Sequence, residues 1–150
     1  MNLFKTLALA LVFASPLAQA GECELEIEGN DAMQFNLSEM EVSLSECPSL
    51  TVKLVHVGNL PVDVMGHNWV LTETANKDEV VDAGLPAGLE NNYLPPDSDK
   101  VIAHTKVIGG GEEDSVTFDT SALTAGGDYT FFCSFPGHAA VMNGTFKVNE

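Results

Sequence analysis

The chain has 150 residues, 45% of them hydrophobic, and a formal charge of −16 from 22 acidic and 6 basic residues. That length suits one core rather than two, and the apolar share excludes wholesale disorder. None of the basic residues is an arginine, and so few cations cannot build the face that nucleic-acid phosphates or an anionic membrane surface require.

Residues 1–20 read as a secretory signal peptide. Lys5 gives a positive start, Thr6 to Ala14 is apolar but too short to span a bilayer, Ser15-Pro16 breaks the run, and Ala18-Gln19-Ala20 matches a small-x-small cleavage site. Cleavage after Ala20 would leave residues 21–150 as one exported domain, more negative by the loss of Lys5.

Beyond the leader, Glu22, Glu24, Glu26 and Glu28 alternate with Cys23, Leu25 and Ile27, predicting a strand with one acidic and one apolar face. Gly29-Asn30-Asp31 signals a turn. Cys23 and Cys47 flank two strand-like runs, and Cys133 makes the cysteine count odd. In an oxidising compartment one pair can close and one thiol is left over. Joining Cys23 to Cys47 would contribute roughly 3–4 kcal/mol by loop closure. Cys133 itself could be an inert buried residue or a soft metal ligand.

Leu50, Val52, Leu54 and His56 share one parity and predict another strand, ended by Gly58-Asn59-Leu60-Pro61. His67 to Leu71 is a short strand with the only tryptophan, Trp69, as a core filler. Thr74 to Leu89 lacks alternation and predicts a short helix ending near Gly84 or Gly88. With Pro86, Pro95 and Pro96, the stretch from Thr74 to Pro96 reads as a flap inserted over the sheet. Val101 to Ile108, Ser115 to Phe118, Tyr129 to Cys133 and Gly144 to Val148 complete the strands. The pattern predicts an all-β, Greek-key β-sandwich with one short helix in an inserted flap.

Between the last two strands lies Cys133-x4-His138-x3-Met142. Each residue alone has a plain packing role. Together they offer a thiolate, an imidazole and a thioether, the mixture that suits copper in both oxidation states: soft sulfur favours Cu(I), imidazole serves both, and a weak axial Met completes a trigonal His2Cys arrangement. The second imidazole must come from elsewhere, and His67 is the leading candidate. His56 has inward parity and reads as a satisfied core histidine, so neither it nor His104 is assigned to the metal.

Taken together, Gly58 to Leu71, Val101 to Lys106, Asp114 to Asp119, Tyr129 to Thr145 and the Cys-x4-His-x3-Met spacing resemble the azurins, small blue (type 1) copper proteins of the cupredoxin superfamily. The resemblance implies one copper ion held by His67, Cys133 and His138, with Met142 axial and the Gly66 backbone carbonyl opposite. It implies that Asn68 ties the two ligand-bearing loops together near the sulfur, and that the Phe135 N–H donates to it. It matches a Cys23–Cys47 disulfide and places His104 on the surface, away from copper. It further implies a periplasmic electron carrier, not an enzyme, that passes electrons through the edge of His138. The docking patch would comprise Met33, Leu60, Val64, Met65, Phe135, Pro136 and Gly137. Partners would be redox proteins such as c-type cytochromes or periplasmic reductases, met by a monomer or a weakly self-associating chain. A copper storage or delivery protein of the same fold is the alternative, and the lack of a Met-rich tract argues against it. Copper oxidases and reductases built on this fold need further domains and more histidines than the four here.

Overall fold

The structure, a computed structural model, describes residues 23–150; the leader expected over residues 1–20 lies outside the described residues. Alternating apolar and polar residues sort the strands into two layers. One sheet joins β1 (Cys23–Gly29), β3 (Ser49–His56) and β6 (Glu113–Asp119) in the order β1-β3-β6. The other has the order β2-β8-β7-β4-β5, from β2 (Glu39–Ser43), β4 (Val70–Glu73), β5 (Ala103–His104), β7 (Tyr129–Phe132) and β8 (Asn143–Asn149). The β1–β3 and β2–β8 pairs are parallel and the others antiparallel, so the chain crosses repeatedly between layers and forms the expected all-β sandwich.

The core lies between the sheets. Ile27, Leu50, Val52 and Leu54 face Met40, Val42, Leu71, Phe131, Phe146 and Val148. Trp69 is fully buried among them, with the rings of Phe118 and Phe146 at 6.3 and 6.0 Å. The outward residues of the first sheet are mostly polar or charged, and Lys53 pairs there with Glu26 and Glu113. Burial of alternate residues on a pleated strand requires this division.

The flap packs on the outer face of the five-stranded sheet. Its helix Lys77–Gly84 inserts Val80 against Val70, Phe132, Leu94 and Ala139. Short 3₁₀ turns, Thr74–Asn76, Leu85–Ala87 and Leu89–Asn91, carry the rest of the excursion.

Three local expectations are corrected. Val62–Met65 makes one helical turn, so the flap helix is not the only one. The strand expected from His67 begins at Val70, and the long strand expected over 101–108 shrinks to Ala103–His104. Both changes have one cause. His67 and Ile108 form an isolated bridge, and between that bridge and the β4–β5 ladder the Trp69 N–H turns to the Thr105 hydroxyl (2.9 Å). A side chain there replaces a backbone partner, which ends the regular ladder.

The Cys23–Cys47 disulfide is formed, across a sequence separation of 24, and ties the start of β1 to the entrance of β3. Replacing both cysteines by serine should lower unfolding stability by about 3.5 kcal/mol in the loop-closure account. Urea melts of the double variant check this, and an unchanged midpoint would show that the unfolded chain is already restricted.

Candidate metal centre

The β4–β7 ladder stops at Val70↔Phe132, and β7–β8 stops at Phe132↔Asn143. Residues 133–142 therefore form a loop at one end of the sandwich, closed at its base by Cys133 N–H donating to the Met142 carbonyl at 3.0 Å. Within it, His138 N–H bonds the Phe135 carbonyl and Met142 N–H bonds the His138 carbonyl. Gly137 takes φ 82°, a left-handed value that L side chains rarely adopt, so the turn into His138 needs glycine.

This loop and the segment before β4 bring three donor atoms together. The Cys133 Sγ lies 3.6 Å from His138 Nδ1 and 3.9 Å from His67 Nδ1, and all three atoms lie within 4.8 Å of one another. An ion held in a trigonal plane, about 2.3 Å from sulfur and about 2.0 Å from nitrogen, would set sulfur and nitrogen about 3.7 Å apart. The donors thus already stand where one ion would hold them, and one thiolate with two imidazoles suits copper. The three residues are buried, as is Met142, which packs with Cys133 and Phe135. The Gly66 carbonyl oxygen is 3.9 Å from the sulfur. A Cβ on Gly66 would come within 2.5 Å of the Val62 carbonyl and 2.6 Å of Val107, so close packing demands glycine there.

Each imidazole has a defined orientation. His67 Nε2–H donates to the Asn30 carbonyl at 2.8 Å, which leaves the Nδ1 lone pair facing the thiol. A Cβ on Gly29 would press within 2.8 Å of the His67 ring. His56 stacks on His67 with centroids 4.3 Å apart. Its Nε2–H donates to the Met65 carbonyl (2.7 Å) and its Nδ1 accepts the Gly58 N–H (3.1 Å). That is a satisfied core histidine. His104 is exposed on β5.

Asn68 joins the two ligand-bearing segments. Its Oδ1 accepts the Ser134 N–H at 2.8 Å, and its Nδ2 donates to the Ser134 hydroxyl at 2.8 Å and to the Asn92 carbonyl at 3.2 Å. Burial pushes the Cys133 thiol up to about 12, opposed by hydrogen bonds from the backbone N–H groups of Asn68 and Phe135. Burial lowers His67 to about 4, against the bond to Asn30 and assisted by the nearby His56 and His138 rings. His138 is also lowered, by burial first and then by His56.

Around the loop, Met33 (39% exposed), Leu60, Val64 (54%), Pro136 and Gly137 reach the surface, and Met65 is half-buried. Phe135, expected at the surface with them, is instead buried (8% exposed), because its ring packs edge-on to Tyr93 at 5.4 Å and beside His138 at 4.7 Å. The sequence pass missed Gly29 and Asn30, seen there only as a turn, together with Ser134 and Asn92. A small residue followed by a polar one at the end of β1 was the sole signal for the first two. Their contact with His67 follows from the parallel register that sets Gly29 beside His56.

Residues 21–149 match the family described as copper binding proteins, plastocyanin/azurin family. The chain is 56% identical over 142 residues to the azurin of Bordetella pertussis, covering 95% of this chain and 93% of that one. It is 53% identical over 141 residues to the azurin of Pseudomonas aeruginosa, covering 94% of each. A solved azurin (Az-iso2) of Methylomonas sp. strain J superposes with a TM-score of 0.82 at 42% identity, over 87% of this chain and all of that one.

The pKa directions set the proton balance of metal uptake. At pH 7 the apo thiol is protonated while His67, with a value about 4, is neutral. Copper(II) uptake at pH 7 should therefore release about one proton per ion, from Cys133. Calorimetric titration in buffers of differing ionisation enthalpy measures this number, and a release of two would mean that an imidazole starts charged.

Proposed function

The chain belongs to the plastocyanin/azurin family of copper-binding proteins, and from that premise we propose that it carries single electrons between redox proteins and transforms no substrate of its own. Bound copper supplies a one-electron Cu(I)/Cu(II) couple; the protein supplies a site that barely moves between the two states. The observation that carries this reading is the converged donor triangle of His67, Cys133 and His138, all three buried. His67, Cys133 and His138 would hold the ion, with the Met142 thioether and the Gly66 carbonyl as weaker donors beside them. Such a closed set leaves no position for a substrate. The N–H groups of Asn68 and Phe135 toward the sulfur stabilise the thiolate and so tune the potential.

A storage or delivery role needs ligands that a partner can reach and remove. Here the thiol is fully buried and His138 is 3% exposed. That exposure suits an electron leaving through the ring edge, not a metal leaving the site. The surrounding patch of Met33, Leu60, Val64, Met65, Pro136 and Gly137, with Phe135 beneath it, suits small and transient contacts. The partner classes that fit are c-type cytochromes and periplasmic reductases. Export of residues 21–150 to the periplasm after cleavage at Ala20 completes the reading, and the disulfide is compatible with it.

Charge selects among partners. The segments framing the site, 29–38, 57–66, 88–93, 105–112 and 134–141, contain Asp31, Asp63, Glu90 and Glu112 against the single Lys106. The rim is acidic, so a partner with a basic face is drawn in.

Copper-loaded, oxidised protein should show an intense visible thiolate-to-copper band and a narrow copper hyperfine splitting in electron paramagnetic resonance. Cys133→Ser should abolish the band with the fold intact by circular dichroism, whereas Met142→Leu should keep it and raise the reduction potential; a lower potential would remove Met142 from the set of donors. Reduction by a basic cytochrome, followed by stopped flow, should slow by roughly tenfold as ionic strength rises from about 10 to about 150 mM. A flat profile would leave apolar contact as the only docking force.

A further inference from the structure

We infer that Asn92, in the flap and remote in sequence from every metal ligand, is a positioning residue that locks the geometry of the metal centre; this rests on the reading of that centre given above. Asn92 follows the 3₁₀ turn Leu89–Asn91 with φ 56° and ψ 26°, in the left-handed region where asparagine is among the few tolerated residues. Its carbonyl accepts two hydrogen bonds, from Asn68 Nδ2 at 3.2 Å and from the Ser134 hydroxyl at 2.8 Å. Its side-chain Oδ1 accepts the Val107 N–H at 2.9 Å.

These three contacts converge on the site from three directions. Asn68 adjoins His67, and Ser134 adjoins Cys133. Val107 packs against the cluster of Cys133, Phe135 and Met142 and blocks any side chain at Gly66. The next residue, Tyr93, is also left-handed (φ 51°) and rests its ring against Phe135. The body of the flap is anchored elsewhere, by Val80 and Leu94 on the outer face of the sheet. Its tip is thus a strut between that anchor and the bonds holding the two ligand-bearing segments in register. Only Asn92 makes polar contact with all of Asn68, Ser134 and Val107 among the described residues.

The mechanical consequence is specific. With the Val107 bond lost, the Asn92 carbonyl has no fixed height over the site. The Asn68–Ser134 pair then gains freedom, and with it the Asn68 and Phe135 N–H groups that face the sulfur. Electron density on the sulfur responds to those N–H groups, so the effect is read at the metal and not only in stability.

Asn92→Gly tests this, because glycine keeps the left-handed backbone and deletes only the side-chain acceptor; Asn92→Asp keeps an acceptor oxygen. In the apo protein, amide hydrogen exchange at Ser134 should accelerate by about two- to tenfold in the glycine variant and return to the wild-type rate in the aspartate variant. In the copper-loaded protein, the glycine variant should shift both the reduction potential and the copper hyperfine splitting, and the aspartate variant should restore the splitting. Wild-type exchange, potential and splitting in Asn92→Gly would overturn the inference, even if its melting temperature fell. Should that variant not fold, Ser134→Ala, which removes the hydroxyl reaching the Asn92 carbonyl, is read for the same potential and splitting, with no shift in either overturning the inference. If wild-type protein gave no thiolate-to-copper band, the proposed function would fail on its own, and the apo exchange result would still decide the role of Asn92.

Discussion

Everything at the metal end of the molecule depends on how the β4–β7 ladder ends. The two strands pair antiparallel up to Val70↔Phe132, and two further steps in the same register would set Asn68 opposite Ser134. No backbone ladder forms there. The Asn68 side chain takes its place, accepting the Ser134 N–H and donating to the Ser134 hydroxyl. A side-chain amide is longer than a backbone contact, so the strands part at a fixed distance rather than splaying freely. The Cys133 thiol occupies the opening, within reach of His67 on one side and His138 on the other. Two buried polar groups satisfy each other, which avoids the cost of leaving either unpaired. The same bonds set the separation that an ion would need.

Burial then decides the electrostatics. A thiol pushed up to about 12 and an imidazole lowered to about 4 both resist charge, so without a cation both groups are neutral at neutral pH. An isolated thiolate there would be costly, and only a cation in the same pocket makes it favourable. Thiolate formation and metal binding are therefore one event. The second contacts of each ligand serve the same end. Asn30 takes the proton side of His67, and the fully bonded His56 stacks behind it as a rigid wall. The His67 ring is thereby held with Nδ1 toward the sulfur.

Much of this was legible in the chain itself, and what was not has a common cause. The parity of Leu50, Val52, Leu54 and His56 gave both the strand and the inward histidine, because period two is a local property. The Cys133, His138 and Met142 spacing gave the loop for the same reason. The helix in the flap showed itself by the loss of alternation after Thr74. By contrast, the single turn Val62–Met65 is too short to carry a helical period. The late start of β4 depends on Asn68 and Thr105 replacing ladder bonds, a choice made by partners distant in sequence. Gly29 and Asn30 looked like a turn and nothing more. Their hold on His67 arises only once β1 lies parallel to β3 with Gly29 beside His56. The family resemblance places Phe135 in the surface patch, yet Tyr93, arriving from the flap, covers it.

The charge distribution follows from where the sheets need cations. Lys53 sits between Glu26 and Glu113 on the outer face of the first sheet, and Lys147 reaches Glu39 across the parallel β2–β8 pair. Lys100 meets Glu79 at the flap helix, and Lys77 lies beside Asp78. Exposed pairs of this kind add little stability. Their effect is on the field: cations are held along the sheets and the flap helix, where cross-strand and helix neighbours place carboxylates beside them. The segments framing the metal loop keep Asp31 and Asp63 against a single lysine, Lys106. Asp31 is not free to turn away, since its carboxylate accepts the N–H groups of Asn59 and Leu60, which hold its value below the usual carboxylate range. The same bonds brace the Leu60 surface. Apolar contact and negative field are therefore built into one structural unit beside the metal loop, so a partner that touches the first must also meet the second.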